Sequence, residues 1–541
     1  MKRLLTVFVF LTLLLLVGCA GKTPAESGNA TEAKTEPTAK VTTAAETEHV
    51  HVFDKEVQSD AYLAKTPACG KSKTYYRSCA CGERGTATFE GEVQPHLFGV
   101  SVSDAGVIER IRCTREGCAY SEQPNVILPS LGTFKGIFRG TDNSYQTVDS
   151  TTVLLYEKCT ASDFENYLRW TQVNGFTRAE TYEMGSNRYA LCKHEKYTLY
   201  LSYLSGEGAL RVYVGRSDDV APAKVFRSDE AAASVQPALW QIDVDCKAAG
   251  DNGGMSYVLQ LPDGKFIVID GGYETDADAN SIYRILTENK PDAHEKPIVA
   301  GWFITHMHID HCGALRRFAS LHRDAVEVEG FYYNFPYVNI GDIWPSNSKT
   351  WETLMASFEG ATLYRKLHSG MQFGFSGATV TVLCTFEDVY PLSFNSGNDT
   401  STVFQIDVAG QSILFLADAE YGESDRMAKL ANETLKADIM QYAHHGYDKQ
   451  CRDTLYKRIN PTTVLWPMPI VNWRDGGGEV FRPRYEGTAS NKHKENEWIR
   501  SADSVKKIIV MAEGTTKLEL PYTPTGERNA DYNALYREQR P

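Results

Sequence analysis

The run Phe303-Ile304-Thr305-His306-Met307-His308-Ile309-Asp310-His311 constrains what this chain can fold into more than any other segment. An apolar strand leads straight into His-x-His-x-Asp-His. Alternate side chains of an extended backbone share a face, so His306 and His308 point the same way, toward one metal ion. Asp310 and His311 begin the next turn and reach a second ion close by. The alternative is four satisfied polar residues on a loop, a pattern that chance seldom produces. The expectation is a dinuclear metal centre at the end of a strand.

This motif resembles the signature of the metallo-β-lactamase superfamily. The resemblance implies an α/β fold, an αββα sandwich, over residues 236–524, and the other landmarks of that family occur in order. Phe266-Ile267-Val268-Ile269-Asp270-Gly271-Gly272 reads as a buried strand ending in the Asp that orients the metal loop. Ser412-Ile413-Leu414-Phe415-Leu416-Ala417-Asp418 ends in the carboxylate that bridges both ions in the family. Ala437-Asp438-Ile439-Met440 leads to His444-His445-Gly446, the source of the last metal ligand and of a second imidazole that supports the shell or meets substrate. The resemblance therefore implies two zinc ions held by His306, His308, Asp310, His311, Asp418 and the pair His444 and His445. Asp310, His444 and His445 carry the catalytic roles, and Asp270 and Thr305 hold the ligands by hydrogen bonds.

Asn398-Asp399-Thr400-Ser401, together with the His-His-Gly ending, is similar to the hydrolase domain of DNA-internalisation competence proteins and of bacterial phosphorylcholine esterases, and unlike true β-lactamases. Asn398 and Ser401 are accordingly expected in the supporting shell. Two departures stand out. No His between Gly313 and Asp418 corresponds to the family's third motif, since His322 and His368 read as structural, and Ala314 replaces a Gly common among relatives. The first ion is then left to His306, His308, Asp418 and solvent. Cys312 reads as a small buried residue.

A chain of 541 residues with 42% hydrophobic content is long enough for two to four domains. Lys2 and Arg3 precede an apolar stretch from Leu4 to Val17 that is too short to span a bilayer but suits a secretory signal. It ends in Leu16-Val17-Gly18-Cys19, which resembles the lipobox of bacterial lipoproteins. Residues 1–19 are thus expected to be a signal peptide with Cys19 lipidated, which places the protein outside the cytoplasm on a membrane anchor. Residues 20–48 carry no aromatic side chain and read as a disordered tether.

Residues 49–125 hold His51, Cys69, Cys79 and Cys81, four donors of the kind that a tetrahedral structural zinc needs in a zinc-ribbon-like module. His96, Cys113 and Cys118 echo them as a second unit whose first cysteine is missing. The stretch from Tyr62 to Gly82 also looks like a small Cys-rich repeat of surface proteins from gut-type Gram-positive bacteria. Disulfides are the competing reading in an oxidising compartment, although with Cys19 lipidated an odd number of thiols remains. Residues 130–220 read as a small α+β domain: strands at Thr152–Tyr156, Tyr189–Cys192, Tyr197–Tyr203 and Leu210–Val214, with a helix capped at Thr160 or Ser162 and ended by Asn174-Gly175. Residues 525–541 form a C-terminal tail.

The formal charge of −13 argues against a stable nucleic-acid complex held through phosphates, and none is expected. Function is expected to be metal-dependent hydrolysis of a small-molecule or cell-surface phosphodiester. A lactone, ester or lactam substrate is one alternative, and an inactive, zinc-stabilised surface binding protein is another. Phe331-Tyr332-Tyr333-Asn334-Phe335-Pro336-Tyr337, Trp344 and Trp473-Arg474-Asp475-Gly476-Gly477-Gly478 form either an aromatic rim for a sugar or quaternary amine or ordinary core.

Overall fold

A computed structural model describes residues 50–139, 152–217, 235–246, 253–336, 345–389, 396–430, 435–447, 449–469, 473–474, 482–483, 494–531, 534 and 538. The expected signal segment with Cys19, the 20–48 tether, Tyr337, Trp344 and Asp475 to Gly478 lie outside them. Among the described residues no helix is long and apolar enough to cross a membrane.

Two mixed sheets build the C-terminal half. One orders its strands Thr362–Tyr364, Gly330–Tyr332, Ile298–Phe303, Phe266–Asp270, Ser256–Gln260, Ala238–Gln241 and Thr516–Glu519, with Glu327–Val328 beside Ile298–Phe303. The other runs Gln372–Phe375, Ala378–Cys384, Val403–Val408, Gln411–Phe415, Ile439–Gln441, Thr463–Trp466 and Lys507–Val510. The strand Phe266–Asp270 shows why they stack. Side chains alternate across a strand, so Ile267 and Ile269 join the core shared with the second sheet, while Phe266 and Val268 join the core beneath helices Asp276–Asn289 and Ile309–His322. Every residue of this strand is buried, as expected of a sheet covered on both faces.

Helical crossovers make the central pairings parallel. Phe266–Asp270 runs parallel to Ile298–Phe303, and Gln411–Phe415, Ile439–Gln441 and Thr463–Trp466 run parallel to one another. Their carboxyl ends gather on one edge of the sandwich, the place where open α/β sheets build their sites. This is the metallo-β-lactamase fold.

The preceding segment forms a six-stranded antiparallel sheet ordered Thr177–Met184, Asn187–Lys193, Tyr197–Leu204, Ala209–Arg216, Thr152–Glu157, Thr133–Arg139. Thr160 caps helix Ala161–Val173 through a capping box with Asp163, and the helix buries Phe164, Tyr167, Leu168 and Thr171 against one face of the sheet. The other face is also buried. Tyr182, Tyr189, Tyr200 and Tyr213 share the core of the two-sheet sandwich; Tyr200 donates to the Ser369 carbonyl at 2.8 Å and Tyr213 to Asp388 at 2.7 Å. One face of this sheet is therefore packed into the core of the sandwich.

Further upstream lie a three-stranded sheet, Leu63–Lys65, Ser72–Ser78 and Arg84–Val93, and a smaller sheet of Phe98–Val102, Val107–Cys113, Ser121–Glu122 and Val126–Ile127. Phe331, Tyr332, Tyr333 and Phe335 are buried, with Tyr332 stacked on Phe303 at 4.5 Å. That stretch is core, and the aromatic-rim reading is corrected for these four aromatics.

Candidate metal centre

The strand ends deliver the donors. Ile298–Phe303 runs out into His306 and His308, and helix Ile309–His322 starts at once with Asp310 and His311 in its first turn. Gln411–Phe415 leads to Asp418, and Ile439–Gln441 leads to His445. Two donor sets result. Asp310, His311, Asp418 and His445 form one, and His306, His308 and Asp418 form the other; within each, the ligand atoms lie within 4.8 Å of one another. Asp418 divides its oxygens between the sets. Oδ1 is 3.1 Å from His311 Nε2 and 3.4 Å from His445 Nε2, whereas Oδ2 is 3.9 Å from His306 Nε2.

The residues fit a pair of cations. His306 Nε2, His311 Nε2, His445 Nε2 and Asp418 Oδ1 are all buried and make no hydrogen bond. Buried polar atoms are rarely left so, and here four converge on one spot. Neighbours fix the tautomers that leave these lone pairs free. His445 Nδ1 lies 2.9 Å from the Pro467 carbonyl, which only accepts, so Nδ1 carries the proton. His311 Nδ1 donates to Asp270 Oδ2 at 2.7 Å. The Thr305 hydroxyl donates to Asp270 Oδ2 at 2.7 Å and therefore accepts from His306 Nδ1 at 3.1 Å. One buried carboxylate, Asp270, thus orients a ligand of each set, and it also accepts the Thr305 backbone N–H at 2.8 Å.

Electrostatics follow from burial and proximity. Burial first, then His311 and His308, drive the His306 imidazole well below its ordinary value, which keeps it neutral and able to ligate. Burial also opposes charge on His445 and His311, but Asp418 and Asp310 outweigh it and raise His445 to about 9. Those are protons that a cation displaces, so metal uptake releases them. Asp310 is the carboxylate with an outward aspect: its side chain is 20% exposed, against 2% or less for Asp418, His306, His311 and His445, and His308 is half-buried as well.

Of the expected pair, His445 lies in a donor set and His444 in neither. His444 Nε2 accepts from Asn398 Nδ2 at 3.0 Å, and the other proton of that amide goes to Glu420 Oε1 at 3.2 Å. Adjacent residues part company because both are left-handed, His444 at φ 47° and His445 at φ 52°, followed by Gly446 at φ 78°. Such backbone costs about 1–3 kcal/mol per non-glycine residue and persists only where its surroundings demand it. Trp466 supplies part of that demand by donating its indole N–H to the His445 carbonyl at 2.7 Å and leaving no room for a Cβ at Gly446. Ser401 accepts the Asp418 backbone N–H at 3.2 Å.

Two supporting residues escaped the sequence reading. Gln441 accepts the N–H groups of Leu416 and Ala417 and donates to the Ala417 and Tyr442 carbonyls, holding the turn that presents Asp418. A polar residue ending the apolar strand Ile439–Gln441 was the available signal. Gly253 passes so close to His445 that a Cβ there would meet its Cγ at 2.6 Å. Nothing in the sequence marks that approach.

Residues 249–353 match the family model described as the metallo-beta-lactamase superfamily. Those residues belong to that superfamily. The His-x-His-x-Asp-His loop of this metallo-β-lactamase domain lies inside the match; Asp418 and His445 lie beyond it and are brought to the loop by the second sheet. No curated protein matches the sequence. Among solved structures, a variant of the CmlA β-hydroxylase aligns at 13% identity and TM-score 0.32 over 53% of this chain and 54% of its own, so this chain spans about half of that protein's length. Zn2+-bound PqqB from Methylobacterium extorquens aligns at 13% identity and TM-score 0.25, over 38% of this chain and 72% of its own. The MIM-2 metallo-β-lactamase aligns at 17% identity and TM-score 0.22, over 35% and 69%.

Proposed function

We propose that this protein is an extracytoplasmic, lipid-anchored hydrolase that uses a zinc pair to cleave phosphodiesters of small molecules or of the cell surface. The observation that carries the catalytic part is Asp418, whose two carboxylate oxygens serve different donor sets. When bound, the two ions supply Lewis acidity and a water of near-neutral pKa. The protein's own groups do the rest. Asp310, the partly open carboxylate, stands 3.4 Å from His445 Nε2 and is placed to orient the attacking water and take its proton. His444, whose Nε2 accepts from Asn398, is the second imidazole of the His-His-Gly turn and is assigned to stabilising charge that develops on a phosphoryl oxygen or a leaving group.

The Asn398–His444 hydrogen bond supports the phosphodiester class, because it joins the two segments whose sequence is similar to phosphorylcholine esterases and competence-protein hydrolases. The anchor rests on the segment ending in Cys19. The test is metal analysis of the full chain alongside turnover of bis(p-nitrophenyl) phosphate, p-nitrophenyl acetate and a chromogenic lactam. The expected result is phosphodiester turnover that chelators and Asp310→Asn abolish. A fully metallated protein that leaves the phosphodiester intact, whether or not it hydrolyses the ester or lactam, refutes the proposal. Growth with labelled palmitate tests the anchor, and a chain carrying no label at Cys19 refutes that part.

A further inference from the structure

The N-terminal Cys/His residues do not sort as their order in the chain suggests. His51, Cys69, Cys79 and Cys81 were expected to form one set, but Cys69 lies instead with His96, Cys113 and Cys118, all four ligand atoms within 4.8 Å of one another. Cys69 comes from the turn between the first two strands of the three-stranded sheet, and its neighbour Gly70 takes φ 78° there. The other three belong to the next unit. His96 precedes Phe98–Val102, Cys113 ends Val107–Cys113, and Cys118 follows in a turn whose N–H bonds the Arg115 carbonyl at 3.1 Å. The unit that lacked a cysteine in sequence receives one from its neighbour in space.

We infer that Cys69, His96, Cys113 and Cys118 form a closed tetrahedral zinc site that fastens the three-stranded sheet to the sheet that follows it. Spacing supports this directly. Tetrahedral zinc with Zn–S of about 2.3 Å and Zn–N of about 2.05 Å sets its ligands about 3.8 Å apart for two sulfurs and about 3.6 Å apart for sulfur and nitrogen. Cys69 Sγ and Cys113 Sγ are 3.7 Å apart, and Cys118 Sγ lies 3.5 Å from His96 Nδ1. A disulfide would draw two sulfurs to about 2.05 Å. The backbone N–H groups of Arg115 and Leu97 donate to Cys113, a pattern suited to sulfur carrying negative charge.

The fold also needs such a fastening. Among the described residues the three-stranded sheet and its turns bury only Tyr75 and Cys79 as apolar side chains, and neither joins a hydrophobic cluster. A sheet of that size without a core is stabilised in other proteins by metal or disulfides. His51, Cys79 and Cys81 form a three-donor set, one short of a closed shell, and are not part of this site.

Cobalt(II) substitution of the full chain tests the site. Thiolate-to-cobalt charge transfer reports on cysteine-bound ions alone, since the hydrolase donor sets hold only imidazole and carboxylate. The wild-type chain is expected to show this absorption with the strong d–d bands of a tetrahedral ion, Cys118→Ser to lose most of it, and Cys81→Ser to keep it. Absence of the band in the wild type, or its loss in Cys81→Ser but not in Cys118→Ser, overturns the assignment. A mercurial titration of wild-type zinc protein decides the matter even if Cys118→Ser does not fold. Zinc beyond that of the hydrolase centre should leave in step with modification of Cys69, Cys113 and Cys118. Thiols that react without zinc release, or a Cys69–Cys113 disulfide found by peptide mapping, refute the site.

Discussion

Asp270→Asn separates the role of a buried carboxylate from that of the ligands it holds. Asp270 is fully buried and accepts three hydrogen bonds, from the Thr305 N–H, the Thr305 hydroxyl and His311 Nδ1, all at 2.7–2.8 Å. Asparagine offers one accepting oxygen and one donating nitrogen in the same space. If the oxygen keeps the Thr305 N–H, the amide nitrogen confronts the hydroxyl and the imidazole, both of which now donate. The least costly response is for His311 to move its proton from Nδ1 to Nε2, which removes the lone pair aimed at the ion. Loss of such a supporting partner typically weakens metal binding about 10–100-fold, or roughly 1.4–2.7 kcal/mol. The set Asp310/His311/Asp418/His445 should suffer most, because His306 is reached only through Thr305. The assay is competitive zinc titration against a chromophoric chelator, with thermal unfolding of the metal-free protein as a control. Two unchanged affinities in a folded Asp270→Asn protein would show that Asp270 does not set the His311 tautomer.

Adjacent histidines should behave differently. His445→Ala is expected to lose about one equivalent of zinc, whereas His444→Ala should keep full metal content and lower kcat about 100-fold; equal metal loss in both would contradict the geometry. Glu423 gives a pH signature away from the metals. Burial, reinforced by Asp399, raises its carboxyl to about 8, and its Oε1 makes no hydrogen bond. A carboxyl raised in the folded state binds more protons there than when unfolded, so its contribution to stability falls as pH rises from the ordinary carboxylate value toward 8, by up to roughly 5 kcal/mol. In chelator-treated protein, denaturant unfolding should therefore show Glu423→Gln gaining stability relative to wild type between pH 5 and pH 8. A difference that does not change with pH would mean that Glu423 ionises as an ordinary carboxylate.

Much of the centre was legible in the primary structure because its donors sit at short, rigid spacings. His306, His308, Asp310 and His311 lie on a strand end and the first helical turn after it, so local backbone geometry alone groups them. Helix Ala161–Val173 was legible for a similar reason, since its cap and its apolar face repeat within single turns. The division of labour between His444 and His445 was not. It depends on two left-handed residues held by Trp466 and Pro467, about twenty positions away in sequence. Gln441 and Gly253 likewise act through contacts that only the stacked sheets create.

The Cys/His module makes the same point from the other direction. Sequence alone determined which residue types were present, five cysteines and two histidines among them able to serve two small units, and it placed a metal-ligating motif at the end of a buried strand. Only the tertiary structure decided that Cys69 crosses to the second unit, that Asp418 stands between two sets of imidazoles, and that the tyrosine-rich sheet shares the core of the sandwich. The physical reason is range: spacing along a chain specifies direction over a turn or a strand, but partners drawn from separate strands are chosen by packing and register, which no local pattern records.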